Sequence, residues 1–154
     1  MIKLLNSLYV FEIFLKLLSI ISKTEKLDFF TNKITRFLAL LNVKINRHKE
    51  QDNIKSLAET WQNMMPTNSQ HFFKIEKLTE DTAYVQIHLE CPLRSKGNTL
   101  ACYKLMNYDR SLMKSIGGNL VVLESQANSG KNYCRLAIRK SNQDISDLIP
   151  AHKK

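Results

Sequence analysis

Two apolar stretches with helical spacing open the chain. Residues 3–21 (KLLNSLYVFEIFLKLLSII) are almost wholly apolar, with Glu12 and Lys16 in their middle. Those two stand four residues apart with the acid first, the favourable order for a pair on a helix surface. A spanning helix needs about 20 largely uncharged residues, and a secretory leader needs a small-residue cleavage site. The stretch meets neither condition and predicts a helix that buries most of its circumference. A second stripe follows, made of Leu27, Phe30, Ile34, Phe37, Leu38 and Leu41, with Lys33 and Arg36 off it. The polar link at residues 22–25 then predicts an antiparallel helical hairpin.

Residues 44–53 are polar and charged, which marks a boundary. A third helix is expected over about residues 51–64, with Ile54, Leu57, Ala58, Trp61 and Met65 on one stripe and Pro66 as its stop. Beyond Pro66 the period changes from 3.6 to 2. Phe73 and Ile75 begin a first strand. Residues 82–90 form a second, with Val85, Ile87 and Leu89 on one face and Tyr84, Gln86, His88 and Glu90 on the other. Cys91-Pro92 ends it, and a loop over residues 94–98 carries Gly97. Asn98 or Thr99 can cap a helix that runs to Ile116 and stops at Gly117-Gly118. Strands over residues 119–126 and 132–140 follow, joined at Asn128-Ser129-Gly130.

The predicted fold class is α+β. An N-terminal helical hairpin and a third helix precede ββαββ, whose four-stranded antiparallel sheet packs on one helix. Residues 1–45 form the hairpin, an arm for dimerisation or for a membrane surface. Residues 46–141 form the α+β domain, and residues 142–154 a polar, loosely packed tail.

The 154 residues carry 23 Lys and Arg against 14 Asp and Glu, a net charge of +9. The excess is spread along the chain and no nucleic-acid-binding motif accompanies it, so a specific nucleic-acid partner is not expected. The basic flanks Lys23, Lys26, Lys33, Arg36, Lys44 and Arg47 suit either a homo-oligomer with solvated edges or peripheral membrane contact through residues 3–43. Three cysteines, an odd number without scaffold spacing, favour a reducing, cytoplasmic setting or a metal site.

Periodicity gives the direction of each polar side chain. Cys91 continues the parity of Val85, Ile87 and Leu89, and Cys134 shares that of Leu136 and Ile138, so both face the helix. On the helix, Cys102, Leu105, Met106, Leu112, Met113 and Ile116 form the buried stripe, and Asp109 lies on it. A buried carboxylate costs several kcal/mol unless something satisfies it. Three readings stand. The cysteines are small buried hydrophobes, with Asp109 bonded to amides of the 92–98 loop or paired with Arg94. Alternatively, Cys91, Cys102, Cys134 and Asp109 hold Zn²⁺, with His88 excluded by its parity unless the strand twists. The third is a reactive thiol, Cys102, activated in the first turn of its helix, with Asp109 as acid/base and Arg94 binding a substrate carboxylate.

The run from the Trp-bearing helix through "EDTAYVQIHLEC", a Gly-containing loop, a helix with Cys then Asp, and "LVVLESQANSGKNYCRLAIR" resembles the bacterial L-2-amino-thiazoline-4-carboxylic acid hydrolase family. The resemblance covers about residues 50–140 and is carried by Cys91, Gly97, Asp109, Gly130 and Cys134. The thiol three residues before the family's aspartate is Met106 here, with Cys102 one turn earlier. The resemblance implies a small hydrolase acting on a C–N bond of an amino-acid-derived heterocycle, with Cys102 and Asp109 catalytic and Arg94, Cys91 and Cys134 binding substrate. The alternative is a non-catalytic module for a small ligand or zinc that dimerises through its N-terminal helices.

Overall fold

The computed structural model describes residues 8–24 and 28–154. Residues 3–7 of the first stripe, and Glu25, Lys26 and Leu27, lie outside the described residues. The elements run α1 (Leu8–Ile21), α2 (Asp28–Ile45), α3 (Ile54–Asn63), a 3-10 turn (Thr67–Phe72), β1 (Phe73–Leu78), β2 (Ala83–Ile87), α4 (Thr99–Leu105), α5 (Asn107–Ser115), β3 (Gly118–Glu124), β4 (Cys134–Lys140) and a final 3-10 turn (Ala151–Lys153). The strands make one antiparallel sheet in the order β1-β2-β4-β3. The fold is α+β, as its change of hydrophobic period predicts.

Helix α3 begins where Asn53 accepts the Ser56 N–H at 2.9 Å, and the Ser56 side chain closes a capping box. Its stripe of Ile54, Leu57, Ala58 and Trp61 is buried as predicted. The predicted single helix of residues 98–116 is broken at Met106, whose ψ of 1° closes α4 and opens α5. The buried stripe nevertheless continues across the joint, through Cys102, Leu105, Met106, Leu112, Met113 and Ile116. Gly117 ends α5 at φ +90°, a region open to glycine. The core joins these helices to one sheet face, where Val85, Leu120, Val122, Leu136 and Ile138 are buried.

The hairpin helices touch each other little. Helix α2 lies along α5, and α1 rests on α4 and the first 3-10 turn. The inward face of α2 keeps Leu38 and Leu41 of its predicted stripe, which are half-buried, but departs from the rest of it. Thr31, Thr35 and Ala39 are fully buried, while Phe30, Ile34 and Phe37 are exposed. Small side chains let α2 approach α5 closely enough for hydrogen bonding. The Asn107 amide donates to Thr35 Oγ1 at 2.9 Å, and the Thr35 hydroxyl donates to the Thr31 carbonyl at 2.7 Å. Large phenylalanines on that face would hold the helices apart.

The C-terminal tail is packed rather than loose. Leu148 and Ile145 lie against Val121 and Ala137 on the reverse face of the sheet. The Arg139 guanidinium bonds Asp147 through both nitrogens and donates to Thr82 Oγ1. Alternation on β4 turned Arg139 away from the helices, and the tail supplies its partners there.

Candidate functional site

Asp109 occupies the first turn of α5. There its own backbone N–H contributes a hydrogen bond to the carboxyl. Its Oδ1 accepts the Trp61 indole N–H at 3.0 Å. Neither the amides of the 92–98 loop nor Arg94 is its partner, and among the described residues it joins no ion pair. The neighbouring Arg110 turns away, donating to the Tyr103 carbonyl at 2.7 Å and lying 3.9 Å over the Tyr103 ring. Burial pushes the Asp109 carboxyl up to about 6, against the lowering pull of the indole hydrogen bond and the Arg110 charge.

Asp109 lies deep in the molecule yet keeps some accessible surface, because it forms part of a cavity wall. The cavity, of about 210 Å³ and partly open to solvent, is bounded by α1, α2, α5 and the sheet. Its walls are mostly apolar, with Phe14, Leu18, Leu41, Ile45, Phe73 and Leu105 among them. The polar groups are few. Tyr108 lines the cavity beside Asp109, and its hydroxyl accepts the Asn42 amide at 2.8 Å. Burial, reinforced by the Asp109 charge, pushes the Tyr108 phenol up to about 12. An apolar enclosure with a few convergent polar groups is the usual form of a small-molecule site.

Cys102 and Cys134 are buried, as helical spacing and alternation predict, whereas Cys91 lies half-buried in the loop beyond β2, where strand parity no longer applies. Cys102 sits among core side chains, where its sulfur accepts the Ser125 hydroxyl at 3.1 Å. Burial pushes its thiol up to about 11, so desolvation outweighs any help from the short helix α4. Cys102 is also absent from the cavity wall, whereas Cys91 and Cys134 line it. Burial pushes Cys134 up to about 12 and raises Cys91 as well. Backbone N–H groups of Gln126 and Leu93 donate to the sulfurs of Cys134 and Cys91, each at 3.4 Å.

The zinc set of Cys91, Cys102, Cys134 and Asp109 does not assemble. Among the described residues no group of three or more His, Cys, Asp and Glu side chains is placed to hold a metal. His88 bonds Gln86 at 2.8 Å and stacks near Tyr133, on the side its parity assigns.

Arg94 is exposed and does not reach Asp109. It lines an adjoining cleft with Glu12, Lys16, Glu90 and Lys96. The cleft and the cavity share Leu15, Glu90, Cys91 and Pro92, so Glu90 borders both, while Glu12, Lys16, Arg94 and Lys96 line the cleft alone.

Three site residues escaped the sequence reading. Trp61 was expected as a core anchor alone, although a buried indole N–H requires an acceptor. Asn42 stood on no apolar stripe. Gln126 is fully buried, donating to the Leu89 carbonyl at 2.8 Å and accepting the Cys91 N–H at 3.2 Å. It ties the two loops at the cavity rim, and a polar residue at a strand end gives no signal of that role.

The fold and site together define an α+β protein whose helix-covered sheet encloses an apolar cavity with one buried carboxyl. Comparison with protein-family models, curated proteins and solved structures finds no match to this chain. No helix among the described residues is long and apolar enough to cross a membrane.

Proposed function

We propose that this protein is a binding module for a compact, largely apolar small molecule held in the cavity beside Asp109. The observation that carries the reading is a partly open cavity of about 210 Å³, mostly apolar in its walls, with the Asp109 carboxyl in its lining. Apolar cavities of comparable size bind ligands as small as benzene. Filling the space by Leu41→Trp should abolish small-molecule binding while raising the melting temperature. Amide chemical shifts recorded during titration with small aromatic compounds test this. If no such compound perturbs the cavity residues, the reading fails. Three free cysteines fit a reducing, cytoplasmic setting.

A hydrolytic reading in line with the amino-thiazoline hydrolase resemblance is favoured by one observation, a cavity-facing carboxyl with its proton affinity shifted toward neutrality. In that reading Asp109 moves the proton and water is the nucleophile, because the thiols are held protonated. Release of an amine from a cyclic amidine substrate, abolished by Asp109→Asn, is the expected result. Turnover unaffected by that substitution would exclude it.

We assign the outward face of the hairpin to contact with an anionic bilayer surface. Tyr9, Leu17, Ile20, Phe29, Phe30 and Phe37 are exposed there, among the exposed cations Lys16, Lys33, Arg36 and Lys44. A twofold dimer would set that face, and its cations, against a copy of itself. Flotation with phosphatidylglycerol vesicles should carry the protein upward at low salt, and pure phosphatidylcholine vesicles should not. A stable dimer in solution that ignores both vesicles would refute the assignment.

A further inference from the structure

The cavity has mostly apolar walls with the Asp109 carboxyl among them, and among the described residues that carboxyl has only the Trp61 indole and its own backbone N–H as hydrogen-bond donors. Asp109 accepts the Trp61 N–H through Oδ1, and a carboxylate has several further lone-pair positions. Neither neighbouring residue bonds to it: the Tyr108 hydroxyl accepts the Asn42 amide, and Arg110 donates to the Tyr103 carbonyl. Cys134 and Cys91 are protonated thiols that accept backbone N–H groups. Glu90 adds a second carboxylate at the rim, and Lys16, Arg94 and Lys96 belong to the adjoining cleft. Among the described residues no cation lines the cavity itself.

Resting on the binding function proposed above, we infer that the ligand is an apolar amine, whose ammonium N–H groups complete the hydrogen bonding of Asp109 while its hydrocarbon body fills the cavity. A carboxylate or phosphate would meet like charge inside and find no cationic partner there. A plain hydrocarbon would leave the carboxylate unsatisfied in a drier space than before, which is costly. A neutral alcohol could donate one hydrogen bond but would bring no compensating charge. With the Asp109 carboxyl pushed up to about 6, the ionised form outnumbers the neutral one by roughly ten to one at neutral pH. The charged partner that an ammonium needs is therefore present.

The test compares benzylamine, benzyl alcohol and toluene, three probes of closely similar shape, titrated into the full chain at pH 7.5 and at pH 5 and followed by amide chemical shifts. Benzylamine should bind about tenfold or more tightly than either neutral probe at pH 7.5, the scale of a hydrogen bond to a charged group. Its advantage should shrink at pH 5 as Asp109 takes up a proton. Asp109→Asn should remove the advantage and leave toluene binding intact. Equal or tighter binding of toluene or benzyl alcohol by the wild-type protein would overturn the amine assignment and leave the cavity a binding site. If none of the three perturbs cavity residues, both the assignment and the binding function fall. The wild-type comparison decides the matter even if the variant does not fold.

Discussion

Trp61 donates its indole N–H to Asp109 Oδ1 at 3.0 Å, and it is the sole tryptophan of the chain. The charge state of the carboxyl is therefore reported by one fluorophore. Emission intensity or wavelength should titrate with a midpoint about 6, the value to which burial pushes Asp109. Asp109→Asn should flatten that curve. A flat wild-type titration between pH 4 and 8 would show that the bond does not track protonation.

The same group makes folding stability depend on pH. Its proton affinity is raised from the ordinary 3.8 to about 6 in the folded chain. The folded state thus holds the proton more tightly, and Asp109 favours folding most below about pH 4. That contribution is lost as pH rises through about 6, on the order of 3 kcal/mol in all. Urea denaturation from pH 4 to 8 should show a decline over this window. Asp109→Asn should remove much of the decline and be the more stable protein at pH 8. An unchanged slope in the variant would assign the decline to other groups.

All three thiols are raised by burial, which predicts slow alkylation of the native protein. At pH 7.5 iodoacetamide followed by mass spectrometry should find Cys91 modified first, since it alone of the three is only half-buried. Cys102 and Cys134 should react on unfolding. Rapid modification of Cys102 in the folded chain would restore the nucleophile reading.

The inward face of α2 can be tested by a pair of substitutions. Thr35→Leu forces bulk into the α2–α5 contact and removes the shorter of the two hydrogen bonds that the Asn107 amide donates, leaving that to the Asn32 carbonyl. It should destabilise by roughly 1–3 kcal/mol. Phe37→Ser, on the exposed face, should change stability by less than about 0.5 kcal/mol. The opposite order, measured by urea denaturation, would mean that the phenylalanines face the core.

Much of this structure is legible in the hydrophobic pattern, and the failures have physical causes. The change from period 3.6 to period 2 at Pro66 locates the sheet, and parity places Cys134 and Arg139 on their correct faces. The stripe from Cys102 to Ile116 is buried as its spacing indicates, although the break at Met106 leaves no glycine or proline signal. Helix α2 misleads because its largest apolar residues point outward, while threonines and alanine make the contact. Hydrophobicity measures the tendency to leave water, not the closeness of approach that a hydrogen-bonded helix pair requires. For the site, Asp109 stood out because a carboxylate on an apolar stripe demands an explanation. Its partner did not, because Trp61 also satisfies the simpler role of filling the core.

The sheet order joins two sequence-local hairpins, β1–β2 and β3–β4, along a single non-local seam between β2 and β4. Ile87 and Cys134 face each other across that seam, and both border the cavity. The enclosure therefore comes into being only when the two hairpins have met, late in assembly if each hairpin forms first. A molecule that fits it has nothing to grip beforehand. It should lengthen the lifetime of the finished protein, seen as slower unfolding in stopped-flow experiments, and leave the refolding rate as it was.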